Sequence, residues 1–126
     1  MYYIKLKVRI GTRFEYWKVL MDTGSRLNIV NNSVVESHFL RPTSCPKVTT
    51  ASGDIKITSE VSMDIFLTES IGIKVVCPIV IGMDCAMYLG TPFFQKFRKH
   101  GAKFDQRTRR FGYFLELEGR EFFFQR

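Results

Sequence analysis

Side chains that alternate between apolar and polar run through most of this chain, and that period admits strands rather than helices. Ile4, Leu6, Val8 and Ile10 fall on one face of the first run, with Lys5, Lys7 and Arg9 on the other. Gly11-Thr12 turns it into a second run, Phe14 to Met21, which predicts a hairpin. The longest alternation places Ile55, Ile57, Val61, Met63, Ile65 and Leu67 on one face, with Ser59 as its polar member. Thr68-Glu69-Ser70 then turns the chain into Ile71 to Cys77, and the last strands are Ala102 to Asp105, Phe111 to Leu117 and Glu121 to Phe124.

Two short helices interrupt the strands. Ser33-Val34-Val35-Glu36 has capping-box spacing and predicts a helix to Leu40, ended by Arg41-Pro42. Thr91-Pro92 predicts another, with a capping hydroxyl and proline at the first helical position. Phe93, Phe94 and Phe97 form its apolar stripe. Lys96, Arg98, Lys99 and His100 gather at its C-terminal end, and Gly101 closes it. Many short strands at even spacing indicate an all-β fold: a small closed β-barrel with one or two short helices, in a single domain over residues 1–126.

Composition narrows the function classes. Hydrophobic residues make up 45% of the chain, enough for a modest core. No apolar stretch is long enough to span a bilayer and no signal peptide opens the chain, so neither a membrane partner nor secretion is expected. The net charge of +7 suits an acidic partner or nucleic acid, but no RNA-binding motif accompanies it, so a solvated basic surface is preferred and nucleic acid is not expected. The densest cluster, Arg107-Thr108-Arg109-Arg110, reads as an exposed turn. Cys45, Cys77 and Cys85 form an odd set without a Cys-x-x-Cys pair. Buried free thiols are expected, and no metal or cofactor. Asn31-Asn32-Ser33 matches a glycosylation sequon by chance.

Chemistry concentrates in Asp22-Thr23-Gly24-Ser25. The apolar run Val19-Leu20-Met21 precedes it, and Leu27, Ile29 and Val30 follow. A carboxylate is thereby carried on a tight turn at the end of a buried strand, a costly place unless its surroundings hold it for a purpose. The bland alternative is an Asx turn that caps the strand end through its own backbone. Farther along, Met87-Tyr88-Leu89-Gly90 is an apolar-apolar-Gly run followed by the second helix. Ile79-Val80-Ile81-Gly82 is a rival match, and Gly90 is preferred because a helix follows it. Between them, Thr50-Ala51-Ser52-Gly53-Asp54 reads as the tip of a hairpin.

These three motifs, in this order, resemble those of the retropepsin-like aspartic proteases, over Lys18 to Phe104. The serine after Asp-Thr-Gly, the helix after Asn32 and the Ala-Ser-Gly hairpin are most similar to the polyprotein proteases of plant pararetroviruses (Caulimoviridae). The resemblance implies an aspartic endopeptidase with a barrel of the retropepsin type. It also implies processing of a viral or retroelement polyprotein, by a chain that is itself a segment of one, in the host cytoplasm or virus particle.

Such chemistry needs two carboxylates sharing one proton, and this chain has one Asp-Thr-Gly. The resemblance therefore implies a homodimer with both copies of Asp22 on its two-fold axis. Thr23 would reach across that axis, Gly24 would let backbone approach the carboxylates, and Ser25 would donate to the outer carboxylate oxygen. Leu89-Gly90 would lie beneath the turn. Thr50 to Asp54 would form a flap over extended peptide segments. Phe122-Phe123-Phe124 is either an interface strand or part of its own barrel. The competing classes are a catalytically silent domain of the same fold and a basic β-barrel that binds RNA. The latter calls for exposed aromatics interleaved with basic residues.

Overall fold

The computed structural model describes residues 2–43, 47–50 and 53–126, with side chains 48–50 left aside. The first two strands are β1 (Tyr2–Ile10) and β2 (Arg13–Met21), an antiparallel hairpin pairing Tyr2 with Met21 at one end and Ile10 with Arg13 at the other. Short strands follow: β3 (Ile29–Asn31), β4 (Arg41–Pro42), β5 (Lys47–Thr50) and β6 (Gly53–Lys56). Two long ones, β7 (Ser59–Phe66) and β8 (Gly72–Val80), lead to β9 (Met87–Leu89). A single helical turn, α1 (Thr91–Phe94), precedes β10 (His100–Asp105), β11 (Arg110–Leu117) and β12 (Arg120–Gln125).

One sheet runs in the order β1-β2-β9-β3-β8-β7-β4, and a further β1–β7 pairing closes its first six strands into a barrel. The alternation in β1 explains how. Ile4, Leu6, Val8 and Ile10 point inward and are buried, meeting Val61, Met63 and Ile65 of β7 and Val75 and Cys77 of β8. Strands β10, β11 and β12 form a separate antiparallel sheet that packs Tyr113, Leu115 and Phe122 against the same core. Phe122-Phe123-Phe124 thus belongs to its own chain's sheet, paired with Leu115, Phe114 and Tyr113. β5 and β6 pair only with each other. No described helix is long and apolar enough to cross a membrane.

Several expected elements differ. The helix from Ser33 to Leu40 is two 3-10 turns, Asn32–Val34 and Ser37–Phe39, separated by extended Val35 and Glu36. The capping side chain is Asn31, whose Oδ1 accepts the Ser33 N–H. Glu36 pairs with Arg13 and His38 rather than reaching back as a capping box requires. The Asn31 side chain also donates to the carbonyls of Met83 and Cys85, which gives the sequon asparagine a structural task. The long alternation from Ile55 breaks at Ile57-Thr58, because β6 leaves the barrel. Ile57 packs with Val80 in a small second cluster, and Ile55 is exposed.

Helix α1 is one turn long, and its cap is Gly90 rather than Thr91. The basic run expected at its end instead enters the last sheet: the Arg98 N–H donates to Glu116, and His100 begins β10 with its ring beside Phe94. Gly101 pairs with Phe114 instead of closing a helix. The exposed turn at Arg107–Arg109 agrees with expectation, as do the buried free thiols of Cys77 and Cys85. Cys45 lies outside the described residues. Burial pushes the Cys77 thiol well above its ordinary range.

Phe93 is fully buried, with ring centroids 5.5 Å from Phe94 and 5.0 Å from Phe97. This trio joins the barrel to the last sheet through Phe94 and Tyr113, 5.6 Å apart. Phe93→Ala should therefore cost about 3–5 kcal/mol of unfolding free energy. Urea titration would read this as a lower midpoint with an unchanged slope.

Candidate active site

Strand β2 ends at Met21, and the next residue is half-buried Asp22. The Asp22 N–H donates to Leu89 O at 2.9 Å, so the loop starts still tied to the end of β9. The Ser25 N–H then returns to Asp22 O at 3.1 Å, closing a tight turn with Thr23 and Gly24 exposed at its tip. The donor to the carboxylate is the Gly24 N–H, 3.0 Å from Asp22 Oδ1. The Ser25 hydroxyl donates to Leu27 O at 2.7 Å instead of to the carboxylate. Within one chain, then, Ser25 braces the loop's second half.

What lies under the loop decides its shape. β9 is parallel to β2 and antiparallel to β3, so it fills the gap between the two strands that flank the loop. Leu89-Gly90-Thr91 emerges directly beneath. Ser25 O accepts both the Thr91 N–H, at 2.8 Å, and the Thr91 hydroxyl, at 2.9 Å. A Cβ on Gly90 would stand 2.5 Å from both Ser25 O and Leu27 O. Those are backbone atoms, so no side chain fits there. The rival Gly82 has open space around it and sits in a turn at φ 86°. The structure thus places Gly90, and not Gly82, against Asp22.

Asn28 went unnoticed in the sequence. It is one of two buried polar or charged residues among those described, and its Oδ1 accepts the Gly90 N–H at 2.9 Å. Three fastenings therefore join the loop to one tripeptide: a main-chain bond at Leu89, a side-chain bond at Gly90 and a double bond at Thr91. A polar residue in the apolar run Leu27-Asn28-Ile29 was the available signal.

The flap candidate is only partly visible. β5 and β6 form a hairpin in which Thr50 opposes Gly53, and Gly53 adopts φ 117°. Ala51 and Ser52, its expected tip, lie outside the described residues. Lys47 and Asp54 form an ion pair at 3.3 Å across it.

The other described aspartates are engaged elsewhere. Asp64 accepts from Arg9 at 3.1 Å, and Asp105 caps its own turn through Arg107 and Thr108. Asp84 accepts the hydroxyls of Tyr88, at 3.0 Å, and Tyr3, at 3.3 Å, and the Tyr88 bond holds its carboxyl below the usual range. Burial, seconded by that bond, pushes the Tyr88 hydroxyl up to about 12. Among the described residues no group of three or more His, Cys, Asp or Glu could hold a metal ion. The site is a single carboxylate on a rigid loop.

No protein-family model and no curated protein matches this chain. Among solved structures, it is similar to the retroviral protease-like domain of Ddi1 from Leishmania major, with a TM-score of 0.63 and 12% sequence identity. The match covers 100% of this chain and 96% of that one. At this identity the likeness concerns fold, and the fold is retropepsin-like: mostly β, with a closed six-stranded barrel.

Two substitutions probe the fastening. Gly90→Ala should cost several kcal/mol or prevent folding, since backbone carbonyls would have to move. Asn28→Ala leaves the buried Gly90 N–H without its acceptor and should cost about 1–3 kcal/mol. Thermal unfolding of both should rank Gly90→Ala as the more damaging.

Proposed function

We propose that this chain is one half of an aspartic endopeptidase that acts as a homodimer. The observation that carries the reading is the Asp22-Thr23-Gly24 turn locked over Leu89-Gly90-Thr91, inside a barrel that superposes end to end on a retroviral protease-like domain. Fold alone is compatible with a silent domain. The fastened turn favours an active one, because it holds a carboxylate at fixed height with the exposed Thr23 and Gly24 free to meet a second copy.

In the dimer the two Asp22 carboxylates face each other across the axis. Like charges about 3 Å apart cannot both ionise, so one carboxyl keeps its proton. The ionised one takes a proton from water, which attacks the scissile carbonyl. The protonated one donates to that carbonyl oxygen, giving a gem-diol. The first carboxyl then passes the proton it took from water to the amide nitrogen, the second takes a proton back from a gem-diol hydroxyl, and the C–N bond breaks to release acid and amine. Gly24 N–H fixes the near oxygen of its carboxylate. Thr23 bonds the partner's backbone. The β5–β6 hairpin closes over an extended peptide, which binds by strand addition, and closure excludes water. A viral or retroelement polyprotein is the proposed substrate, on the strength of the motif resemblance.

Asp22→Asn should lower turnover of a peptide substrate by about a thousandfold or more with the fold intact. Pepstatin should inhibit the wild type. Substantial turnover by the variant would remove the assignment. Specific activity should also fall on dilution, since one chain carries one catalytic carboxylate, and substrate should strengthen the dimer by mass action. An undiminished, strictly monomeric enzyme contradicts the reading.

Activity needs one protonated and one ionised carboxyl. It should therefore decline at low pH, as both protonate, and again at higher pH, as both ionise, with an optimum at about pH 4–6. Because the Ser25 hydroxyl is committed to Leu27 O, Ser25→Ala should cost about 1 kcal/mol of stability and leave the acid limb of the kcat/KM profile in place. An acid limb displaced toward neutrality would place that hydroxyl on the dyad in the dimer.

A further inference from the structure

The outward face of the β1–β2 hairpin has a composition that barrel closure does not require. Register puts Arg9 opposite Phe14 and Lys7 opposite Tyr16, with Lys5 opposite Lys18. On the other side of β1, Lys7 stands opposite Phe66 and Arg9 opposite Asp64, which in turn faces Lys74 of β8. Cations and aromatic rings thus interleave across adjacent strands of one surface. Phe14 is 51% exposed and Tyr16 63%, so both rings reach solvent. The Lys7 ammonium stands 4.8 Å from the Phe14 ring centroid, and Phe14 and Phe66 are 5.7 Å apart.

Opposing charge on this face is sparse. Asp64 holds Arg9 and exposed Glu69 meets Lys7 at 3.4 Å, with Asp84 at the border near Lys18. Lys5 and Lys74 have no carboxylate within ion-pair distance among the described residues. In sequence no RNA-binding motif accompanies the charge, and a barrel that binds RNA calls for exposed aromatics among basic residues; Phe14 and Tyr16 have that placement.

We propose that the outer face of β1, β2, β7 and β8 is a binding platform for single-stranded nucleic acid, with bases stacked on Tyr16 and Phe14 and phosphates met by Lys5, Lys18 and Lys74. The two rings are two residues apart on one strand, about 7 Å, a spacing that admits one base on each. Stacking is tolerant of sequence because every base has a π-face, and flanking cations track the backbone. An anionic membrane also attracts cations with aromatics. It favours rings that project together beyond the charges, whereas here they alternate with the charges on a flat strand face. The platform does not involve Asp22, so it stands or falls apart from the peptidase reading.

Fluorescence anisotropy with labelled oligouridylate and oligothymidylate of about twelve nucleotides tests it, beside co-sedimentation with phosphatidylserine vesicles. Wild type should bind the oligonucleotides, and about three phosphate contacts should give a log–log salt slope near −2. Phe14→Ala/Tyr16→Ala should weaken binding at least about tenfold. Tyr16→Ala alone, at the most exposed ring of the face, serves if the double variant unfolds. Arg107→Gln/Arg109→Gln removes charge from the β10–β11 turn, which belongs to the other sheet, and should leave binding nearly unchanged. No binding, equal loss in the turn variant, or binding to vesicles without oligonucleotide would each overturn the proposal.

Discussion

The absence of one methyl group, at Gly90, is the constraint on which the site depends. Ser25 and Leu27 direct their carbonyl oxygens to the place where that Cβ would stand. Only a bare backbone lets β9 rise so close beneath the loop, and only that closeness lets Asn28 and Ser25 accept bonds from Gly90 and Thr91. The loop is consequently shaped from below by residues more than sixty positions away in sequence. The proposed function would benefit from such support, since a carboxylate that is to meet a twin across an axis tolerates little positional error.

Barrel topology makes this support possible. β9 lies between β2 and β3, although the chain passes directly from β2 through the loop to β3. The strands flanking the loop cannot pair with each other, because the later strand occupies the gap. β7 and β8 intervene in sequence between β3 and β9, so the site is built from non-local contacts. The hydrophobic trio after Gly90 then anchors the inserted segment: Phe93 is fully buried, and Phe94 reaches the last sheet through Tyr113.

Much of this was legible from residue type and period. β1 was readable because its inward residues alternate without a break, and β2 because a short turn leads into an apolar run. The loop and Gly90 were readable because tight backbone approach demands glycine. Helices were the least legible. Ser33-Val34-Val35-Glu36 has the letters of a capping box, yet Glu36 has a better partner in Arg13, a residue of β2 that local pattern cannot foresee. Thr91 looked like a cap, but its hydroxyl is drawn to Ser25 O. In both cases a long-range polar contact outcompeted a local one. Asn28 was missed for the same reason: its partner is distant, so nothing nearby marks it as more than an interruption in an apolar run.

The same alternation that closes the barrel leaves its outer faces unconstrained by packing. Inward positions of β1 are aliphatic from Ile4 to Ile10 with Tyr2 at the end, and any outward residue compatible with a strand would serve the fold equally well. Leaving Tyr16 and Phe14 in water among lysines gains the barrel little, since exposed rings remove little apolar area from solvent. An isolated exposed aromatic needs no explanation, but two on one strand face, interleaved with cations across three strands, form a pattern that core packing does not produce. The two regions also place opposite demands on charge. On the proposed reading the loop keeps a carboxylate accessible to a second copy of itself, and the outer face of β1 and β2 carries its charge as lysine and arginine. Because register puts the outward face of β1 on the barrel's exterior wall, while the loop emerges at the end of β2, the chain can carry both without either compromising the core they share.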